Sequence, residues 1–109
     1  MNVRGHQREH MMPDYIFLMH DDAAASANDG AWGPYFAKLQ TSGQFQGGSA
    51  IGPGVCVRKA GPLPAVTRHL SGFIRVTADS LDHARTLVVG NPVFEAGGTV
   101  EIRELPQTD

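Results

Sequence analysis

The sequence predicts one α+β domain, built from an antiparallel β-sheet with two helices on one of its faces. Three observations support this fold class. Several short segments are rich in strand-forming residues, two other segments repeat apolar residues at helical spacing, and the two types alternate along the chain. The length of 109 residues is that of a single domain.

The first predicted strand is DYIFLMH at residues 14–20, and it is apolar at every position from 15 to 19. A half-buried strand alternates apolar and polar residues, whereas a run of consecutive apolar residues is buried on both faces. This strand therefore needs cover on both sides of the sheet.

The first helix follows a loop of small and acidic residues at 21–30. Asn28 or Asp29 is a suitable N-cap, Pro34 fits the first turn, and Gly43 ends the helix. The apolar stripe of this helix consists of Trp32, Tyr35, Phe36 and Leu39.

Two short strands are predicted next, at residues 45–51 and 55–58. Gly47 and Gly48 indicate a bulge or a close backbone approach in the first of them. A proline-rich connection, residues 60–66, then leads towards the next strand.

The next strand, residues 69–77, and the last strand, residues 99–105, both alternate apolar and polar residues. In the strand at 69–77, Ile74 and Val76 share one face. The other face carries Phe73, Arg75 and Thr77. In the last strand, Val100 and Ile102 share a face. Each strand thus offers one face to a core.

The second helix lies between these two strands. Asp79 or Ser80 caps it, Gly90 ends it, and Pro92 prevents its continuation. Residues 93–97 are expected to be irregular. The apolar stripe of this helix consists of Leu81, Ala84, Leu87 and Val88.

The resulting order, β-α-β-β-α-β, is the signature of a ferredoxin-like fold with both helices on one sheet face. The first strand then leaves large apolar side chains on the helix-free face, and burying each is worth roughly 1.5–3 kcal/mol. A second copy of the chain is the simplest cover, so we expect a homodimer with its sheets face to face. Glu101 and Arg103 would face the chamber between the sheets or its rim, or lie on a solvated strand end.

The composition excludes several functional classes. The net charge of −2 and the scattered basic residues argue against nucleic-acid binding, which needs clustered lysine and arginine. No apolar run is long enough for a membrane span, and residues 1–11 do not resemble a signal peptide, so we expect a cytoplasmic protein. Cys56, the single cysteine, is interpreted as a buried small hydrophobe.

The expected domain boundaries place a flexible extension at residues 1–11 and the folded domain at residues 12–109. His6 and His10 in the extension have the i, i+4 spacing of metal ligands. A solvated tail is the preferred interpretation, and no metal site is expected.

Six segments together resemble the YCII-related domain family, in particular its DGPF branch. They are YIFLMH, the tryptophan-led helix ending in LQTSGQFQGGSAIGP, GP at residues 61–62, HLSGF, ADSLDHA and NPVFEAGGTVEIRELP. The resemblance covers residues 15–105. It departs from the family at residues 60–63, where AGPL replaces Asp-Gly-Pro-Phe, so no catalytic role is transferred to this segment.

The resemblance implies a dimeric α+β barrel of ferredoxin-like protomers, each with a pocket beside the dimer interface. Some relatives are suspected enzymes, by analogy with muconolactone isomerases and chlorinated-muconolactone dehalogenases, in which a His–Asp pair is invoked. The first helix of this chain contains no histidine, so that pair has no match here. No cofactor is expected.

Two histidines at strand ends are candidate catalytic bases, because imidazole titrates near neutrality. His20 closes the first strand beside Asp21 and Asp22, and His69 opens a central strand. The alternatives are a polar strand terminus for His20 and a hydrogen bond to a loop carbonyl for His69.

Arg75 is a charge within a central strand, so it must be paired or face a wet cavity. Its guanidinium would hold a ligand carboxylate, or it would form an ion pair with Glu101 or Glu104. Arg103 has the same alternatives, and Trp32 belongs to the core or lines a pocket edge.

Two functions of different classes are consistent with these residues. The first is a cofactor-free isomerase or lyase acting on a small molecule that carries a carboxylate. His20 or His69 would be its base and Arg75 its anchor, with further binding residues Glu101, Arg103 and Trp32. The second is a non-catalytic dimeric module that binds a small ligand or a protein.

Overall fold

The computed structural model describes residues 12–26 and 28–107. The expectations about the extension at residues 1–11, including His6 and His10, lie outside this described part of the chain. Four strands form one sheet: β1 (Asp14–His20), β2 (Phe45–Ala50), β3 (Leu70–Thr77) and β4 (Val100–Leu105). Three α-helices join them: α1 (Trp32–Ser42), α2 (Leu81–Thr86) and α3 (Pro92–Glu95).

The sheet has the strand order β2-β3-β1-β4, and every neighbouring pair is antiparallel. β1 and β2 therefore run in the same direction with β3 between them, which is a split β-α-β unit. The chain is an α+β domain, and this arrangement is compatible with a ferredoxin-like fold.

The register of β1 separates the two faces of the sheet. Phe17 lies opposite Ile74 of β3 and Ile102 of β4, and Phe17 and Ile74 are almost completely buried beneath the helices. Ile16 and Leu18 point to the helix-free face, where they are only half-buried. The apolar run of β1 therefore does supply both faces, as predicted.

The first helix agrees with its sequence pattern. The side-chain oxygen of Asn28 accepts a hydrogen bond from the Gly30 amide and caps a short 3-10 turn, Asp29–Ala31, that leads directly into α1. Gly43 ends the helix in the left-handed region at φ 77°. The stripe packs on the sheet with Tyr35 and Leu39 buried and Trp32 and Phe36 partly buried.

Tyr35 also connects α1 to the second helical region. Its hydroxyl donates a hydrogen bond to the Leu87 carbonyl oxygen at 2.8 Å, and burial raises the pKa of Tyr35 to about 12. The phenol is therefore neutral and serves as a structural donor. No helix in residues 12–26 and 28–107 is long and apolar enough to cross a membrane.

Two predictions for the second helical region are wrong in part. Ser80 caps α2 as expected, but Leu81 is 51% exposed because it starts a first turn that faces solvent. Residues 92–95 are helical rather than irregular. The side-chain oxygen of Asn91 accepts hydrogen bonds from the amides of Val93 and Phe94, and Pro92 at the first position starts α3.

The predicted strand at residues 55–58 does not form. β2 pairs with β3 only as far as Ala50, and the following segment, residues 51–68, has no regular structure. Val55 and Val57 are 84% and 89% exposed, because no other strand of the described chain pairs with them. Cys56 is half-buried rather than fully buried. We call residues 51–68 the arm.

Substitution of Gly48 tests how closely the backbones of β2 and β3 approach each other. A Cβ atom placed on it overlaps the Phe73 carbonyl oxygen and lies 3.0 Å from the Cα of Ile74. We expect Gly48→Ala to lower the free energy of unfolding by about 1–3 kcal/mol, because two backbones would have to separate. Denaturant titration measures this change.

Gly33→Ala is the matched control, since its added methyl group meets nothing within 4 Å. Within α1 it should leave stability unchanged or raise it by about 0.5–1 kcal/mol. Equal effects of the two substitutions would contradict the close approach of β2 and β3.

Candidate functional site

A pocket of about 760 Å³ opens where the ends of β1, β2 and β3 meet α1 and the loop at residues 21–26. Its walls are largely apolar, and the aromatic ones are Trp32, Phe36 and Phe73. Polar wall residues include His20 and Asp21, whereas no lysine or arginine of the described chain lines it. The volume and the mixture of apolar walls with few polar groups are typical of small-molecule sites.

Small residues from three segments form part of the pocket wall. The loop contributes three consecutive alanines, residues 23–25, and the strands contribute Gly48 and Gly72. A Cβ atom at Gly72 would lie 3.3 Å from the Met19 side chain, so a larger residue would push into this wall. The rings of Trp32 and Phe36, one helical turn apart, stack with their centroids 5.5 Å apart and form the aromatic side.

His20 is held by a carboxylate from the neighbouring strand. Its Nε2 lies 2.9 Å from Oε1 of Glu101. The two residues are diagonal neighbours, because the His20 amide donates to the Thr99 carbonyl and Leu18 lies opposite Glu101. The strand register, rather than sequence proximity, therefore makes the pair.

Glu101 is shared between two donors. Its second oxygen, Oε2, accepts a hydrogen bond from Nη1 of Arg103 at 3.2 Å, two residues along the same face of β4. The hydrogen bonds from His20 and then Arg103 hold the pKa of Glu101 below its ordinary value of 4.5. Glu101 is therefore a carboxylate at neutral pH.

This carboxylate determines the tautomer of His20. A carboxylate only accepts hydrogen bonds, so Nε2 of His20 must carry the hydrogen that Glu101 accepts. In the neutral ring Nδ1 is then left with the free lone pair. The site thus contains an imidazole oriented as a proton acceptor through Nδ1.

His69, the second candidate base, lies beside His20. The ring centroids are 4.9 Å apart in an edge-on arrangement, and the His69 carbonyl accepts a hydrogen bond from the Asp21 amide at 2.6 Å. His69 is exposed and is not among the residues that line the pocket. The structure therefore brings the two histidines together but places only His20 in the pocket wall.

The predicted binding residues divide between two places. Trp32 lines the pocket, whereas Arg75 and Arg103 lie on the helix-free face, each opposite Ile16. Arg75 is exposed, and no acidic residue of the described chain forms an ion pair with it. Glu101, one of its two expected partners, binds His20 and Arg103 instead.

Asp22 anchors the loop that forms the pocket wall. Its two carboxylate oxygens accept hydrogen bonds from the amide and the hydroxyl of Thr99, at 2.8 and 2.7 Å. These bonds hold the pKa of Asp22 below its ordinary value of 3.8. The loop alanines are thereby fixed relative to the start of β4.

Sequence reasoning missed most of the pocket wall. The loop alanines and Phe73 carry no chemical signal, and Phe36 belongs to a stripe that reads as core. Glu101 is predicted to face a chamber or its rim, to lie on a solvated strand end, or to pair with Arg75, whereas the structure pairs it with a histidine 81 residues away. The alternation of apolar and charged residues in β4 predicts a strand but not the register in which it pairs.

Comparison with known proteins identifies no relative. No protein-family model, no curated protein and no solved structure matches this chain. The pocket and the His20–Glu101 pair are therefore the observations on which a function rests.

Asp22→Asn tests the loop anchor through its pH dependence. Because the pKa of Asp22 is lowered on folding, its carboxylate stabilises the folded state above its ordinary value of 3.8, and this contribution is lost as pH falls through the folded value. The variant should be less stable than the parent at neutral pH, and the difference should shrink in acid. Urea titration at neutral and acid pH measures both, and a constant difference would contradict the anchor.

The tautomer of His20 is a second prediction. At about pH 8, above the ordinary pKa of histidine, nitrogen NMR shifts should show hydrogen on Nε2 of His20. Glu101→Gln keeps an acceptor oxygen and should retain this tautomer, whereas Glu101→Ala should lose the preference. His83, which does not contact Glu101, is the internal reference. The same tautomer ratio in all three proteins would show that Glu101 does not orient the ring.

Proposed function

We propose that this protein is a YCII-related, dimeric small-ligand domain that acts as a cofactor-free isomerase or lyase, with His20 as its proton-transfer group. The observation that carries the proposal is that His20 lines a pocket of about 760 Å³ while Glu101 holds its Nε2 at 2.9 Å. A pocket and an oriented imidazole together are the minimum that such chemistry needs.

The proposed reaction begins with proton removal from a carbon next to a carbonyl group. Nδ1 of His20 takes the proton, and the resulting imidazolium is stabilised by the Glu101 carboxylate. Arg103 holds that carboxylate in place from its other oxygen. In an isomerase His20 returns the proton to a different atom of the ligand, and in a lyase a leaving group departs as the double bond forms.

The walls of the pocket define the body of the ligand. Trp32, Phe36 and Phe73 offer aromatic surface, and the alanine loop offers a further apolar wall. A planar or aromatic body fits these groups. A ligand carboxylate would find no cation in this wall, so it would have to reach Arg75 on the helix-free face.

The dimer is supported by the composition of the helix-free face. Ile16, Leu18 and Phe73 are partly exposed there, and charged side chains surround them. A second sheet packed against this face would bury the three apolar residues and enclose Glu101 and Arg103 in a chamber. Phe73 also lines the pocket, so the pocket would adjoin the interface.

A non-catalytic binding module is the alternative, and the pocket lining favours it in one respect. His20 and Asp21 are the only titratable residues of the described chain in the wall, so the second acid or base of a typical isomerase is not evident. Binding of a ligand by apolar contact needs no acid or base.

The single tryptophan of the chain, Trp32, lies in the pocket wall and reports ligand binding by fluorescence. We expect phenylpyruvate and its neutral analogue benzyl methyl ketone, in which a methyl group replaces the carboxylate, to quench it. Deuterium exchange at the carbon beside the carbonyl group, followed by proton NMR, then reports proton transfer. His20→Gln should retain quenching and reduce exchange at least about 100-fold, the usual contribution of a general base.

Quenching without protein-dependent exchange would establish the binding module instead of the enzyme. If neither compound alters Trp32 fluorescence at millimolar concentration, this ligand class is wrong. Tighter binding of phenylpyruvate that Arg75→Ala removes would assign Arg75 as the carboxylate anchor. Equal affinities in parent and variant would exclude Arg75 from the site.

A further inference from the structure

The arm, residues 51–68, presents apolar side chains that the rest of the described chain does not cover. The exposed fractions of Ile51, Val55, Val57 and Leu63 are 40%, 84%, 89% and 60%. The Ile51 amide donates to the Ser71 carbonyl at the base of the arm, and no backbone hydrogen bond among the described residues ties residues 52–68 to the body. A bend at residues 59–61 turns the chain back, and Arg58 donates to the Pro62 carbonyl across it.

The arm projects outward from the domain and is not folded onto it. The Cα radius of gyration is 16.2 Å, whereas a compact chain of this length has about 13 Å. Val55 and Val57 are the most exposed of the large apolar side chains in the described part of the chain, and neighbouring exposed apolar side chains mark an interaction surface.

A groove with an apolar lining lies at the opposite edge of the sheet from the arm. It has a volume of about 590 Å³ between α2, α3 and β4. Its apolar lining includes Val88, Val89, Phe94 and Ile102, of which Val89 and Phe94 are about half exposed. β4 is the edge strand there, so its outer backbone groups have no strand partner in the described sheet.

The two surfaces have complementary charge. Residues 30–78 contain no aspartate or glutamate, and the arm carries Arg58, Lys59 and Arg68. Asp82 lines the groove, Glu95 follows Phe94, and Glu104 lies on β4. One groove cation, Arg85, is already 3.6 Å from Asp82. Opposite charges on the arm and beside the groove favour contact between the arm of one copy and the groove of another.

We propose that the arm of each copy docks in the groove of a second copy of this chain. Val55 and Val57 enter the apolar lining beside Phe94, and the extended backbone runs along the free edge of β4. Arg58 and Lys59 at the bend then lie near the acidic residues of that edge. The inference rests on the proposed dimer and adds a second, reciprocal contact to it.

The proposed face-to-face dimer has a symmetry that permits this exchange. The twofold axis runs between the two sheets and parallel to their strands. Rotation about this axis reverses the strand order, so β2 of one copy lies opposite β4 of the other. The arm leaves the sheet from β2 and therefore starts beside the partner's β4, around whose free edge it reaches the groove on the helix side.

Cross-linking between two marked chains tests the contact directly. In a Cys56→Ser background, which removes the only cysteine, one chain carries Val57→Cys and a differently tagged chain carries Phe94→Cys. We expect mild oxidation of the mixture to give a disulfide between the two tags, identified on non-reducing gels and by peptide mass. Ala37→Cys, exposed on α1, replaces Phe94→Cys in the control and should give little product.

The double variant Val55→Asp, Val57→Asp tests the contribution of the contact to assembly. Both valines are exposed in the protomer, so circular dichroism and Tm at low concentration should not change. The dimer dissociation constant from sedimentation should rise at least about tenfold, because two buried apolar contacts are lost. Ala37→Asp is the control and should dissociate like the parent.

An unchanged dissociation constant together with no disulfide above the Ala37→Cys control would overturn the arm contact while leaving the dimer and the ligand pocket untouched. A parent protein that sediments as a monomer at high micromolar concentration would overturn the arm contact and the proposed dimer together. Quenching of Trp32 by a ligand would still be measurable in that monomer, so the pocket is judged separately.

Discussion

The position of β1 between β3 and β4 is the constraint on which the rest of the structure depends. Phe17 is paired with Ile74 on one side and Ile102 on the other, and these contacts place every second residue of β1 under the helices. A slip of one residue would exchange the two faces of the strand. Burial of Phe17 and Ile74 therefore determines where Ile16, Leu18 and His20 lie.

The candidate site is a consequence of that register. His20 contacts Glu101 because Glu101 lies opposite Leu18, two residues before His20 in β1. Arg103 lies two residues after Glu101 on the same face of β4. The pocket beside them is lined by the alanine loop, whose methyl side chains take up less space than larger residues would. Polar contacts thus orient the imidazole, and the absence of side-chain volume provides room for a ligand.

The uncovered surfaces of the protomer have a common physical origin. The helices cover one face of the sheet, and the part of the chain that the structure describes has no further element to cover the other face or the arm. The charges are also segregated, with the arm basic and the final third of the chain predominantly acidic. In the proposed dimer the sheet of a second copy would cover the exposed face, and its groove would receive the arm.

The local elements of this protein can be predicted from its amino-acid sequence. The spacing of apolar residues predicts α1 and the side chains that it buries. Helix ends are indicated by Asn28, Gly43 and Ser80. The glycines at 47 and 48 indicate the irregular pairing of β2 with β3. These features depend on neighbours within a few residues, so composition and period are sufficient to predict them.

Tertiary structure alone decided the pairings. The valines at 55 and 57 have strong strand preference yet lie in an exposed arm, because a strand needs a partner and β3 offers none beyond Gly72. Leu81 fits a helical stripe but lies in a first turn of α2 that faces solvent. His20 and Glu101 are 81 residues apart, and only the register of two strands, fixed by the side chains buried between sheet and helices, brings an imidazole to its carboxylate.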